Sequence, residues 1–274
     1  MPNDVAPSLA TVMRVGYSAR GIIYTVLGGL TIWAAITAAR AEGTTDALRS
    51  VKSQPFGQVL LWVIATGLFC YLIWRVCDAV LDLECYGTDG KGIIARLGQV
   101  TTGLLHGALG LSVASLAMGA GASGTATQDW TARLMSMDYG RWIVGAVALI
   151  TIGAGLYYVQ KGVRETYKKT LRRSTTTERL DPLLKWGLIV HGGIVGLIGL
   201  SIGYAALYTD PQQAGGLGQA LTIIRDMAFG RVLLALTGLG LFGFAAFNFV
   251  QAVYRIVPRL AEEDVATLAK RSVS

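Results

Sequence analysis

Long runs of apolar residues, separated by short polar stretches, dominate the pattern along this chain. A helix needs about 20 mostly apolar residues to cross the hydrocarbon core of a bilayer. Six segments meet that requirement, and as helices they satisfy their own backbone hydrogen bonds, as lipid demands. They are Val15–Ala39, Val59–Val80, Leu97–Gly119, Trp142–Gln160, Trp186–Tyr208 and Val232–Val253. The pattern therefore predicts an all-α polytopic membrane protein with six transmembrane helices and with every proline in a loop or tail.

The odd-numbered segments repeat one pattern without gaps. They read RVGYSARGIIYTVLG from Arg14, RLGQVTTGLLHGALG from Arg96 and KWGLIVHGGIVGLIG from Lys185. In each, a basic residue is followed by glycines two, seven and fourteen positions later, and small residues on a helix face let backbones approach closely. We expect these glycines to pack helices: Gly16, Gly21, Gly28, Gly98, Gly103, Gly110, Gly187, Gly192 and Gly199.

The even-numbered segments repeat as well, since they open with FGQVLL at Phe56, YGRWIV at Tyr139 and FGRVLL at Phe229. Each copy then holds two membrane helices, so all copies enter the membrane from the same side, as parallel repeats do. The chain divides into three two-helix units at residues 1–90, 91–180 and 181–274, the last carrying the C-terminal tail. We expect a pseudo-threefold axis along the membrane normal.

A short segment joins the two long helices of each unit, and it reads TTDALRSVKSQPFG, TQDWTARLMSMDYG or GLGQALTIIRDMAFG. In the first, Ala47, Leu48 and Val51 recur at helical spacing, and Thr45 or Asp46 suits an N-cap. Gln128 or Asp129 is the corresponding choice in the second. We expect each segment to form an amphipathic helix on the outer membrane interface.

Composition and charge fit a bilayer environment. Only 15% of the residues are charged and the mean hydropathy is +0.50, whereas a soluble domain is roughly one quarter charged. The net charge of +7 is carried by residues that flank the apolar runs. This arrangement indicates contacts with anionic lipid headgroups and excludes nucleic acid as the expected partner.

The distribution of lysine and arginine sets the expected orientation. The first, third and fifth loops hold seven of the 24 basic residues, and the fourth loop alone, KGVRETYKKTLRRSTTTERLDPLLK, holds eight. Because basic loops stay in the cytoplasm, we place the N-terminus, the second and fourth loops and the C-terminus there.

A family resemblance follows from these motifs. The basic residue with its glycines, the short Asp-x-Leu or Gln-Ala-Leu helix and the Phe-Gly-Gln/Arg turn resemble a bacterial membrane family catalogued as domain of unknown function 1206. Arg14–Gly28 and the Pro-Phe-Gly at Pro55 are the most specific pieces. The resemblance implies six helices in three repeats, in the bacterial inner membrane, and brings no reaction, substrate or catalytic residue.

Ionisable residues inside a membrane are functional candidates by default. Arg20 lies about one turn inside the first segment, where it can also serve as an interfacial anchor. His106 lies near mid-depth of the third segment on the face of its glycines, and Tyr24 is its repeat equivalent. We therefore expect a Tyr24–His106 hydrogen bond near the axis.

His191 is the second histidine, about one turn into the fifth segment. Two histidines on separate helices can ligate haem, although His106 and His191 differ in depth by about 6 Å. No cluster of cysteine, histidine and carboxylate has metal-ligand spacing, so no metal and no resident cofactor is predicted, with haem kept as an alternative. Arg75 with Asp78 and Asp82 reads as a surface charge series.

Three classes of function remain. The scarcity of buried charge favours a structural or accessory component that packs against other membrane proteins or lipids. The repeat symmetry favours a small-solute or ion pathway along the axis, which needs polar lining from Arg20, Tyr24, His106 and His191. A haem- or quinone-binding redox protein would use His106 or His191. No catalytic motif is present, and we expect neither catalytic residues nor enzymatic activity.

Overall fold

The structure is a computed structural model, and it describes residues 5–37, 39, 42–120, 126–260 and 267–269. These residues contain nine α-helices and no strand beyond isolated bridges. The helices are α1 Val5–Thr37, α2 Thr44–Lys52, α3 Gly57–Leu81, α4 Gly90–Ala117, α5 Ala126–Met135, α6 Gly140–Val163, α7 Thr175–Tyr208, α8 Leu217–Asp226 and α9 Gly230–Tyr254. Six of them are long and apolar enough to cross a membrane, which confirms the predicted multi-pass architecture.

α1 and α7, the first long helices of the first and third units, begin earlier than the apolar pattern indicates. α1 starts ten residues before Val15, and α7 starts at Thr175, where Ser174 and Thr177 form a capping box. The prediction that every proline lies in a loop or tail is wrong, because Pro7 and Pro182 lie inside these extensions. The extension of α7 is polar, and that of α1 is interrupted by Pro7, Ser8, Thr11 and Arg14, so a search for long apolar runs does not find them.

The Phe-Gly motif marks a tight turn between each short helix and the following long helix. Ahead of α3 and α9, Phe56 and Phe229 adopt left-handed backbone angles, with φ of 61° and 59°. The glycine that follows has no room for a side chain. A Cβ on Gly57 or Gly230 would lie 2.0 Å or 1.8 Å from the carbonyl oxygen of the preceding short helix. The motif is therefore explained by local geometry.

The six long helices pack in an incomplete ring. α1 packs against α3 and α9, α3 also packs against α4, and α7 packs against α6 and α9. In the first and third units the two long helices of one unit touch each other, but α4 and α6 of the second unit are not packed along their length. Accordingly, α6 has 17% of its span buried, whereas the other five have 39% to 56%.

The glycines record the same break. Eight of the nine predicted packing glycines lie at helix contacts, and Gly98 is the exception, since a Cβ there would meet nothing within 4 Å. Its equivalents Gly16 and Gly187 press against Tyr71 of α3 and Gly243 of α9, inside their own units. The packing predicted for Gly98 is therefore wrong, because the α6 surface that would receive it lies elsewhere.

The short helices α2, α5 and α8 lie on one side of the molecule, here called the short-helix side. The predicted caps are wrong: Gly43 is the N-cap of α2, and α5 begins at Ala126, before Gln128 and Asp129. Ala47, Leu48 and Val51 of α2 are buried against the long helices. The apolar face of α2 is thus covered by protein, whereas α5 leaves Trp130 exposed.

The opposite side, here called the terminal side, carries the loops between units and the chain ends. The predicted surface pair is wrong, because Asp78 is fully buried. Its Oδ2 accepts hydrogen bonds from Arg75 Nη1 at 2.9 Å and Gln99 Nε2 at 2.8 Å. Asp82 instead accepts from the backbone N–H groups of Tyr86 and Gly87, which lowers the pKa of its carboxyl group. The Asp78–Gln99 hydrogen bond joins α3 to α4, and the bonds to Asp82 hold the start of the second loop.

Candidate functional site

A cavity of about 380 Å³ lies between α1, α4 and α7, the first long helices of the three units. Its walls come from equivalent positions of the three repeats, which is consistent with a pseudo-threefold axis through it. The lining residues include three such sets, namely Ile23, Leu105 and Ile194; Tyr24, His106 and Val195; and Leu27, Leu109 and Ile198. The walls are thus mostly aliphatic, with a few polar groups, as in typical small-molecule sites.

Among the described residues that line this cavity, Arg20 is the one with a charged side chain. It lies near the middle of α1 rather than one turn inside it, because α1 begins at Val5, and only 4% of it is exposed. Arg20 Nη1 donates a hydrogen bond of 2.8 Å to the Tyr71 hydroxyl, and the guanidinium lies 4.7 Å from the Tyr71 ring centroid. Arg20 Nε has no partner among the described residues.

No Asp or Glu in the described part of the chain forms an ion pair with Arg20. Two partly buried arginines differ in this respect, since Arg75 pairs with Asp78 and Arg255 pairs with Glu84. A buried charge without a counterion costs several kcal/mol, and contacts with aromatic faces recover only about 2 kcal/mol. The cavity therefore carries an uncompensated positive charge.

The two histidines lie on either side of Arg20 in an aromatic setting. His191 stacks on Phe244 at 3.7 Å between ring centroids, with the rings of Tyr24 and Tyr158 edge-on. His106 lies 4.9 Å from the Tyr71 ring. Both imidazoles line the cavity, where His191 can donate to a bound acceptor.

The predicted Tyr24–His106 hydrogen bond is wrong. Within the described residues, the Tyr24 ring meets His191 instead, and His106 Nδ1 lies 2.8 Å from the Thr102 carbonyl oxygen on its own helix. The predicted depth of His191 also changes, because α7 starts at Thr175 and His191 lies near its middle. The four predicted residues Arg20, Tyr24, His106 and His191 all line one cavity.

Three residues at this site were missed by sequence analysis, namely Tyr71, Tyr158 and Phe244. They lie on α3, α6 and α9, the second long helices of the three units, and point inward toward Arg20 and the histidines. Aromatic residues in apolar segments are expected as membrane-interface markers, so their sequence context gave no signal of a site.

The starts of the short helices close the far end of the cavity. Thr44, Thr127 and Leu217, from the first turns of α2, α5 and α8, belong to its lining. A Cβ on Gly43 would lie 3.2 Å from the Gly218 nitrogen, and Gln128 Nε2 donates to the Gln212 carbonyl oxygen at 3.0 Å. The positive ends of three helix dipoles therefore lie toward the cavity.

In the comparison with known families, the chain matches Domain of Unknown Function (DUF1206) over residues 15–82, 97–165 and 186–255. Together the three segments cover more than half of the chain, and each spans two long helices and the short helix between them. The chain belongs to the DUF1206 family. The resemblance noted from the Arg14–Gly28 and Phe-Gly motifs is thereby confirmed, as are the three repeats of the domain.

One curated relative of this DUF1206 protein is the uncharacterized protein YxxB of Bacillus subtilis (strain 168). The two sequences are 27% identical over 256 residues, which is 92% of this chain and 93% of the relative. No solved structure matches this DUF1206 chain. The comparisons thus give the family and its three repeats, without an activity.

Proposed function

We propose that the protein binds an anionic ligand inside the membrane, in the cavity between α1, α4 and α7. The observation that carries this proposal is the unpaired, buried guanidinium of Arg20 on the cavity wall. A charged group at such depth is retained when it meets an opposite charge. An anion in the cavity supplies that counter-charge.

The neighbouring groups support the same ligand charge. Tyr24 and His191 can each donate a hydrogen bond to an oxygen near Arg20, and the described cavity lining holds no carboxylate that would compete. The first turns of α2, α5 and α8 add the positive ends of their dipoles. A carboxylate or phosphate group fits these donors best, because charge-assisted hydrogen bonds to arginine are strong.

The test is ligand binding to purified protein in detergent, using octanoate and octyl phosphate, with octanol as the neutral control. Arg20→Gln keeps a polar side chain and removes the charge. We expect it to weaken binding of both anions by about tenfold to a hundredfold, the loss of one charge-assisted hydrogen bond. Arg20→Lys retains the charge and should bind with intermediate affinity. Binding is read by the ligand-dependent shift in melting temperature and by titration calorimetry.

Arg14→Gln is the matched control, because Arg14 is an exposed arginine on the same helix. It should bind both anions as the wild type does. Equal affinity of the wild type and Arg20→Gln for the anions, or equal affinity of the wild type for octanol and octanoate, would show that the cavity does not select an anion.

A structural or accessory role is the second candidate, and the sparse burial of α6 favours it. Trp142, Leu149, Ile150 and Leu156 form an exposed apolar surface along α6. Such a surface suits contact with lipid or with a helix of another membrane protein. Native mass spectrometry of gently extracted protein tests this: a co-migrating polypeptide would support it. A bound haem or quinone would instead support the redox hypothesis for His106 and His191.

The solute-pathway hypothesis has less support from the geometry. A path along the axis needs open space on the terminal side of Arg20, and there the buried rings of Tyr71 and Phe244 contact its guanidinium group. Liposome flux of small anions, compared between wild type and Arg20→Gln, tests the pathway directly. Flux that depends on Arg20 would revive it.

We also propose the bacterial inner membrane as the location, with the terminal side in the cytoplasm. The basic loop around Arg164, Lys168, Lys169, Arg172 and Arg173 supports this orientation. Cysteine accessibility to a membrane-impermeant maleimide in intact cells is the measurement. A cysteine at Ser174 should be protected, and one at Gln213 should react.

A further inference from the structure

Three equivalent positions of the cavity wall differ sharply in exposure. Ile23, Leu105 and Ile194 occupy the same place in the three repeats and all line the cavity. Ile23 is 5% exposed and Ile194 is 4% exposed, whereas Leu105 is 65% exposed. The wall is therefore complete at α1 and α7 and open to the surroundings at α4.

The missing α4–α6 contact explains this opening. At the position of α6 that corresponds to Gly67 of α3 and Gly240 of α9, the chain has Ile150, which is 67% exposed. Cβ atoms on Gly67 and Gly240 would clash with Ala19 and Val190 of their own units, so these glycines permit close pairing. Without a glycine there, α6 packs on α7 and leaves a gap beside α4.

We propose that the ligand is an anionic lipid-like molecule with its acidic head at Arg20 and its hydrocarbon chain in this gap, reaching the bilayer between α4 and the α6–α7 pair. This inference rests on the proposed anion-binding function and specifies the ligand class and its route. The occupant is identified by the two ends of the site, an unpaired cation inside and an aliphatic opening at membrane depth.

The other directions are closed among the described residues. Toward the terminal side, the Arg20–Tyr71 hydrogen bond and the His191–Phe244 stack fill the space. Toward the short-helix side, the contact between Gly43 and Gly218 brings the short helices together. A chain attached to an acid at Arg20 therefore leaves past Leu105 and Leu109.

The volume agrees with one chain rather than a whole two-chain lipid inside the cavity. A cavity of about 380 Å³ lies near the lower end of the roughly 300–1,000 Å³ range of small-molecule sites. The acidic head and the first part of one chain fill it, and the remainder of the chain lies in the bilayer. Affinity should then rise with chain length until the chain spans the gap.

The experiment is photo-crosslinking in lipid nanodiscs with hexadecanoic acid that carries a diazirine at mid-chain. Its methyl ester, with the same diazirine, is the neutral probe. Labelled peptides are located by mass spectrometry in wild type, Arg20→Gln and Arg14→Gln. We expect the acid to label α4 near Leu105 and Leu109 at least fivefold more in wild type and Arg14→Gln than in Arg20→Gln. The ester should label all three proteins equally.

The outcomes separate this inference from the function on which it rests. Labelling that depends on Arg20 but falls on α2 or α8 would overturn the lateral route and leave anion binding intact. Labelling that is equal for acid and ester in every variant would remove anion binding itself. A second variant, Leu105→Trp, fills the opening and should reduce acid labelling on α4. Unchanged labelling of Leu109 in that variant would also overturn the route. Melting temperatures of all variants establish that they are folded.

Discussion

The first and third repeat units close on themselves, and the second does not. In units one and three, glycines at Gly16 and Gly187 bring the odd helix against its own even partner. In unit two the same sequence pattern is present, yet Gly98 faces open space and Ile150 replaces the partner glycine. The same motif thus occurs in units whose two long helices pack together and in a unit whose long helices are apart. The second long helix of the unit, α3, α6 or α9, decides which packing forms.

The largest expected effect concerns the buried ion pair that joins the segments following α3 and α9. Arg255, at the end of α9, pairs with Glu84 after α3, and both side chains are almost fully buried. Glu84→Gln leaves Arg255 buried without a counter-charge, so it should lower the free energy of unfolding by about 3–5 kcal/mol. Unfolding by SDS titration in mixed micelles measures the change. Glu165→Gln, in a partly exposed ion-pair cluster with Lys168 and Lys185, is the control and should cost under about 1 kcal/mol. Equal losses in the free energy of unfolding for the two variants would mean that the Arg255–Glu84 pair does not hold α3 and α9 together.

The second prediction tests the two packings at equivalent glycines. A Cβ on Gly187 would lie 2.2 Å from the Gly243 carbonyl carbon, so Gly187→Ala should destabilise the protein by about 1–3 kcal/mol. Gly98→Ala meets nothing and should stay within about 0.5 kcal/mol of the wild type. Both are measured by the same titration. A large loss in Gly98→Ala would indicate that unit two closes in solution.

The third prediction compares membrane access at equivalent wall positions. Nitroxide labels on Leu105→Cys and Ile194→Cys report collisions with oxygen dissolved in the bilayer. The label at position 105 should collide several times more often, because Leu105 is exposed and Ile194 is buried against α9 and its neighbours. Similar collision rates at the two positions would contradict a lateral opening.

The smallest effect is a pH dependence on the α6–α7 side. Hydrogen bonds from Lys168 and Lys185 hold the pKa of Glu165 at about 2, below its ordinary value of 4.5. A lowered pKa gives stability that is present above pH 4.5 and is lost as the pH falls toward 2. Because Glu165 is 37% exposed, the contribution is under about 1 kcal/mol. The difference in melting temperature between wild type and Glu165→Gln should be constant from pH 7 to 5 and shrink below pH 4.5. A constant difference down to pH 3 would contradict this assignment.

The sequence carried most of the fold but only part of the site. Apolar run length predicts the six long helices, and the glycine pattern predicts eight real contacts, because both follow from local rules. The meeting of Tyr24 with His191 rather than His106 depends on which helices neighbour each other around the axis. That order is a tertiary property. The opening at α4 had one visible signal, Ile150 at a position where the other repeats have glycine.

Fusing three copies in one chain has an electrostatic consequence. Positions equivalent to Arg20 hold Thr102 and His191. An assembly of three identical two-helix chains would bring three guanidinium groups together near the axis. Their mutual repulsion in a low-dielectric interior would exceed what one monovalent ligand can balance. Covalent linkage lets each copy diverge, so that a symmetric framework presents a single charge, and the stoichiometry that follows from the proposed function is one anion per chain.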